Sequence, residues 1–147
     1  MYSFTEAFVN YFNFSGRSSR KDYWTFFVWN TIIYFCIAAI SMYLNEMARS
    51  RLFMILPIIW GLGTIIPFIS VSVRRLHDTD RSGYWSLLYL SIFLLPATLI
   101  LFFKNYRMLY LAIFLIVICY SFLLWFFLES GDQGKNSYGE DPLDTDY

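Results

Sequence analysis

Residues 52–83 read LFMILPIIWGLGTIIPFISVSVRRLHDTDRSG. The first 22, Leu52–Val73, contain no Asp, Glu, Lys, Arg or His, whereas the next ten, Arg74–Gly83, carry six ionisable side chains. A helix rises 1.5 Å per residue, so about 20 apolar residues cross the roughly 30 Å of hydrocarbon in a bilayer. The core helix of a soluble protein seldom runs that far without one charge. This stretch therefore reads as a transmembrane helix that ends abruptly in a polar loop at the membrane surface.

The same pattern recurs on both sides. Tyr23–Asn45, Ser82–Phe103 and Met108–Leu128 are also free of ionisable residues, and the four runs are 21 to 23 residues long. They predict transmembrane helices at 23–44, 52–73, 84–103 and 108–128. The expected fold is all-α: a four-helix transmembrane bundle forming a single integral membrane domain. An amphipathic helix over 3–13 precedes the bundle, and a polar tail over 129–147 follows it. Composition agrees, with 58% hydrophobic, 22% aromatic and 15% charged residues, against about 25% charged in an ordinary soluble domain. Eleven Lys and Arg balance eleven Asp and Glu. That leaves no basic excess for nucleic acid, which is excluded as a partner.

The first run is too long for a signal-peptide core and begins only after 22 residues, so it is expected to be an uncleaved anchor. Neither Cys is near an end, and no lipidation signal is expected. Arg17, Arg20, Lys21, Arg74, Arg75, Arg81 and Lys135 fall on one side of a four-span topology. Arg49, Arg51, Lys104 and Arg107 fall on the other. Seven against four places both termini in the cytoplasm, because positive charge stays inside. The acidic tail does not oppose this, since acidic residues weigh little in topology.

Ser3-Phe-Thr-Glu6 has the form of a capping box, with Phe4, Phe8, Tyr11 and Phe12 on one helical face. That helix either lies in the headgroup region or packs on the cytoplasmic ends of the bundle. Ser19-x-x-Asp22 is a second capping box, opening the first span. In the second span, Pro67 removes a backbone donor and clashes with the carbonyl of Gly63. With Gly61 it marks a helix break, read as a packing kink or as the wall of a substrate path. Pro96 stands alone in the third span. Lys104–Arg107 is a four-residue connection that makes the third and fourth helices antiparallel neighbours.

The polar cluster Arg74–Gly83 is where chemistry would reside. If the helix continues past the membrane surface, Arg74 meets His77 and Asp78, and Asp78 reaches Arg75 and Arg81. Arginine forks suit a phosphate or lipid headgroup. Equally, they set topology and pair with Asp78 and Asp80. His77 is the single histidine, too few for a typical zinc site, and no metal or cofactor is expected. Cys36 and Cys119 sit at different depths, about 20 and 14 Å from the cytoplasmic helix ends, and read as small apolar residues. No ionisable group interrupts a span, which argues against an ion-coupled carrier. No phosphate loop, zinc-protease motif or nucleophile elbow is present.

Three motifs together carry a resemblance. They are Phe14-x-Gly16-Arg17 with Ser19-Arg-Lys-Asp-Tyr-Trp24, Arg74-Arg-Leu-His-Asp78 with Arg81-Ser-Gly-Tyr-Trp85, and Asn136-x-Tyr138-Gly139-x-Asp141-Pro142. The chain resembles the domain-of-unknown-function 805 family of small bacterial inner-membrane proteins over nearly its whole length. The Arg-Arg-Leu-His-Asp run with Ser-Gly and two aromatics is the specific part. The resemblance implies a helical plasma-membrane protein with no assigned activity, and it supplies no catalytic residues. The hydrophilic Lys104–Arg107 turn departs from the Pro/Gly-type turn expected there.

All three motifs fall on the cytoplasmic side of the predicted topology. They are expected to converge: Arg17, Arg20, Arg74, Arg75, His77, Asp78 and Arg81 as one polar collar, with Asn136, Tyr138 and Asp141 of the tail docked on it. The expected ion pairs are Asp78 to Arg and Asp141 to Arg. The leading functional reading is a non-enzymatic interaction or envelope factor. Its partners would be the bilayer, anionic headgroups, a second copy or another membrane protein. The alternatives are a transporter or channel component working beside Gly61–Pro67, and a lipid-headgroup enzyme with His77 and Asp78 as base and orienter.

Overall fold

The computed structural model describes residues 4–88 and 106–144. Four α-helices are present there: α1 (Glu6–Val9), α2 (Arg20–Ala48), α3 (Ile55–His77) and α4 (Tyr106–Leu128). Single 3-10 turns occupy Leu52–Met54 and Gly83–Leu87. No strand occurs among the described residues, only an isolated bridge between Asn136 and Gly139. The protein is all-α. From position 89 onward the expected third span lies outside the described residues, as do Pro96 and Lys104, and so does the side chain of Cys119. At Gly83–Leu87, where that span was to begin, the chain forms a 3-10 turn.

Two helical segments, Arg20–Ala48 and Leu52–His77, are long and apolar enough to cross a membrane. In their most apolar stretches only 6% and 11% of the residues are buried within the protein. A soluble core helix would be mostly buried. Trp29, Phe35, Met42, Ile58 and Leu62 are instead all more than half exposed, as expected of surface that faces hydrocarbon.

The chain divides into two compact units: residues 1–14 with 21–71, and residues 15–20 with 72–147. In the first, α2 ends in a Schellman motif. The Ser50 amide donates to the Asn45 carbonyl (3.1 Å) and the Arg49 amide to Glu46 (3.3 Å), with Arg49 left-handed at φ 45°, the conformation usually given to glycine. The Asn45 side chain then accepts the Phe53 amide (3.1 Å), fixing the turn into α3.

Pro57 occupies the first turn of α3, where its missing N–H would have had no partner anyway. Pro67 lies in the interior, yet α3 remains helical through it. The helix is not unwound at Gly63–Pro67. Pro67 deprives the Gly63 carbonyl of its helical donor, and the Tyr11 hydroxyl donates to it instead (2.8 Å).

The N-terminal helix is confined to Glu6–Val9 rather than 3–13, and Thr5 precedes it without a side-chain cap. Asn10 ends it: its backbone N–H makes the last helical bond to the Glu6 carbonyl, its side-chain amide donates to the same oxygen, and its own φ and ψ leave the helical region. The segment packs against α2 and α3. Phe4 stacks on Phe26, Phe8 meets Phe26 and Trp60, and buried Ser70 donates to the Asn10 and Asn13 carbonyls.

Candidate functional site

The second unit gathers the ends of several elements: Ser15–Arg20, the last turn of α3, the 78–88 loop, the end of α4 and the tail to 144. The α3 terminus repeats the Schellman geometry, with the Arg81 amide on Leu76 (3.0 Å) and the Asp80 amide on His77 (3.1 Å). Asp80 takes the left-handed position at φ 51°. This turn points Asp78 inward and lets the Asp80 carboxylate accept the Ser137 amide (3.2 Å).

Asp78 is the centre of the cluster. Arg17 donates to its Oδ1 through Nε (3.1 Å) and pairs through Nη2 (3.0 Å), and Arg75 Nη1 pairs with its Oδ2 (2.5 Å). The three side chains are 1%, 0% and 4% exposed for Arg17, Arg75 and Asp78 respectively. Burial pushes the Asp78 carboxyl above the usual carboxylate range, against the pull of Arg75 and Arg17. Such a group holds only while its partners remain in place.

The far side of Arg17 holds the tail. Its Nη1 donates to the carbonyls of Gly134 (2.5 Å) and Gly139 (3.3 Å), and its Nη2 to Asp132 (2.5 Å). The Asp132 amide returns a bond to the Asp78 carbonyl (2.8 Å). His77 stacks flat on Tyr138, with centroids 3.9 Å apart and planes 6° from parallel. Its Nδ1 lies 3.1 Å from the Gly16 carbonyl, so Nδ1 carries the hydrogen, since a carbonyl only accepts. The Asn136 amide donates to the His77 carbonyl (2.8 Å).

The remaining arginines close the end of α4. Arg20 donates to the Leu128 carbonyl (3.1 Å) and Arg75 Nη2 to that of Glu129. This places cations at the negative end of a helix. Arg81 pairs with Glu129 (2.5 Å) and lies over the Phe126 ring at 4.4 Å. The buried Arg74 contributes its carbonyl to the Ser18 amide (3.0 Å).

The ten residues singled out in the sequence thus lie in one unit, but two pairings differ from expectation. Arg81 takes Glu129 rather than Asp78, because the α3 turn carries it toward the end of α4. Asp141 makes no ion pair with an arginine among the described residues, though Arg17 acts on it electrostatically. Its carboxylate accepts the Gly134 (3.0 Å) and Leu143 (2.9 Å) amides, and these bonds, the Leu143 one foremost, lower its pKa below the usual range. His77 and Asp78 do not form a base and orienter. The Asp78 oxygens face arginines, and the imidazole bonds to a backbone carbonyl.

Gly61, Gly63 and Pro67 belong to the other unit. There an apolar groove of about 440 Å³ is lined by Phe8, Ile37, Ile40, Trp60, Gly63 and Thr64 among others.

The geometry joins the three motifs that the sequence keeps far apart, and residues 11–140 match the family described as Protein of unknown function (DUF805). The chain belongs to the DUF805 family. It is 35% identical over 134 residues to Inner membrane protein YhaI of Escherichia coli, covering 90% of this chain and 88% of that protein. It is 32% identical over 139 residues to Inner membrane protein YhaH of the same organism, covering 95% and 94%. The Uncharacterized protein YiiR of E. coli is 29% identical over 148 residues. No solved structure matches the chain. The DUF805 match takes in every collar residue except Asp141, which lies just beyond it.

Sequence reasoning missed Gly131 and Glu129. A Cβ at Gly131 would fall 2.2 Å from Asp78 Oδ2, so the tail can cross Asp78 only as glycine. The sequence signal was a glycine three residues beyond the last apolar run.

Proposed function

We propose that this DUF805 protein is a non-enzymatic, four-span inner-membrane factor with both termini in the cytoplasm. Its cytoplasmic face would be a clasp that fastens the tail to the membrane helices and presents a fixed surface to a partner. The observation that carries this reading is the use of the collar's charges. Both Asp78 oxygens, both faces of Arg17, and the ends of Arg20, Arg75 and Arg81 are occupied by groups of the same chain. A catalytic site keeps a base beside a group that orients it for substrate; here the Asp78 carboxylate is engaged by two arginines and does not orient His77, whose basic Nε2 lies beside Gly83. The apolar lining of the groove beside Gly63 also favours packing over an aqueous path.

Two measurements test the reading. In intact cells, an Asp80→Cys/Ser137→Cys pair is expected to crosslink, and failure to do so removes the clasp. In proteoliposomes, neither headgroup hydrolysis nor solute flux is expected. An activity present in the wild type and abolished by His77→Ala would instead make the protein an enzyme or carrier. Native mass spectrometry of the protein extracted with its lipids would give subunit number and any retained partner.

A further inference from the structure

The guanidinium of Arg17 has one carboxylate neighbour and one edge given to neutral oxygens. On the first side lies Asp78, which also serves Arg75. These three buried side chains carry two positive charges and one negative, with Glu129 acting on Arg75 electrostatically from outside the trio. On the second side lie only the main-chain carbonyls of Asp132, Gly134 and Gly139. Two of these come from glycines at positive φ, 71° for Gly134 and 141° for Gly139, a conformation that L side chains resist. The backbone is bent so that its oxygens reach the cation. Asp141 also bears on Arg17 electrostatically, but its oxygens are spent on the Gly134 and Leu143 amides.

A neutral carbonyl is the weaker partner for a guanidinium. Hydrogen bonds to an ionised oxygen are roughly twice as strong, and the planar fork matches phosphate. We infer that the tail is a displaceable occupant of an oxyanion site: the carbonyls of Asp132, Gly134 and Gly139 stand where the oxygens of a phosphate group bind Arg17 when the tail lifts. The ligand chemistry is a phosphate mono- or diester, from a lipid headgroup beside the start of α2 or from a soluble phosphate compound. Binding replaces neutral oxygens on Arg17 with ionised ones and frees residues 132–144. The tail's other attachments are polar or a single ring stack, and Leu143 is exposed, so no apolar anchor holds it down. The inference rests on the clasp reading above.

Lys135 lies between the Arg17-bound carbonyls and is exposed, pairing with Glu140 at the surface. Trypsin cleavage after Lys135 therefore reports tail release, followed as the 136–147 peptide. Full-length protein in phosphatidylcholine nanodiscs is compared with nanodiscs containing phosphatidic acid, with added inorganic phosphate, and with sodium chloride at matched ionic strength. Cleavage is expected to rise roughly fivefold or more, the usual scale of coupling between ligand and conformation. A rise in phosphatidic acid nanodiscs identifies a headgroup, and a rise in inorganic phosphate a soluble ligand. No rise in either arm, or an equal rise in chloride, overturns the inference.

Arg17→Gln separates this failure from that of the clasp. It is expected to raise cleavage in phosphatidylcholine alone, and unchanged cleavage would overturn the clasp itself. Asn136→Ala, which leaves Arg17 intact, is expected to lower the anion concentration needed for release. An unshifted response would again overturn the inference.

Discussion

Asp78 shows how much one residue's surroundings decide. A carboxylate buried between two arginines is costly to bury and costlier to break, because removing it strands both cations. Asp78→Ala is expected to destabilise the protein by about 3–5 kcal/mol, measured as thermal unfolding in detergent. Gly131 tests the same centre from outside. Its Cβ would meet a carboxylate pinned on both oxygens, so Gly131→Ala is expected to cost about 1–3 kcal/mol. Asp141 behaves differently, being solvent-facing with its pKa depressed by two backbone amides. A depressed carboxylate contributes stability above its unfolded value, near 3.9, and loses it as the pH falls through the lower folded value. The 134–143 loop is therefore expected to hold at neutral pH and loosen only in strong acid. An NMR titration of the Asp141 carboxyl should give a midpoint below the ordinary range, and an ordinary midpoint would remove these bonds.

The helices end and bend for local reasons that can be tested one at a time. Both α2 and α3 close in Schellman motifs with a left-handed residue that is not glycine, Arg49 and Asp80. Asp80 is used there, since its carboxylate holds the Ser137 amide. Arg49→Gly is expected to raise stability by about 1 kcal/mol through relief of the left-handed strain, read as an increased Tm. In α3 the interior proline is tolerated because Tyr11, 52 positions before Gly63 in sequence, repairs the defect at the Gly63 carbonyl. Tyr11→Phe leaves the Gly63 carbonyl without that donor and is expected to cost about 0.5–1.5 kcal/mol. An unchanged Tm would show that solvent or lipid repairs the break without Tyr11.

At the scale of the whole molecule, the decisive balance is between apolar surface and its solvent. The most apolar stretches of α2 and of the 52–77 segment have few residues buried by protein, a state that water would penalise and hydrocarbon does not. The proposed topology follows from the distribution of Lys and Arg. Reporter fusions after Ser50 are expected to be periplasmic and fusions after Tyr147 cytoplasmic. The reverse pattern would put the collar on the outer face and sink the proposed sidedness.

Charge-free runs of spanning length by themselves determined the membrane-length helices of α2 and the 52–77 segment, because the hydrocarbon requirement acts on each segment separately. The convergence of Arg17, Asp78 and the 132–139 tail was legible only as three motifs on one predicted side. The pairing of Asp78 with Arg75 was legible from their helical spacing, but the other partners were not. That Arg81 would take Glu129, that Asp141 would turn to its own loop, and that Gly131 would be pressed against Asp78 depends on where the ends of α3 and α4 stop in space. A guanidinium can satisfy any nearby oxygen, so residue type leaves the pairing open and the tertiary structure decides it.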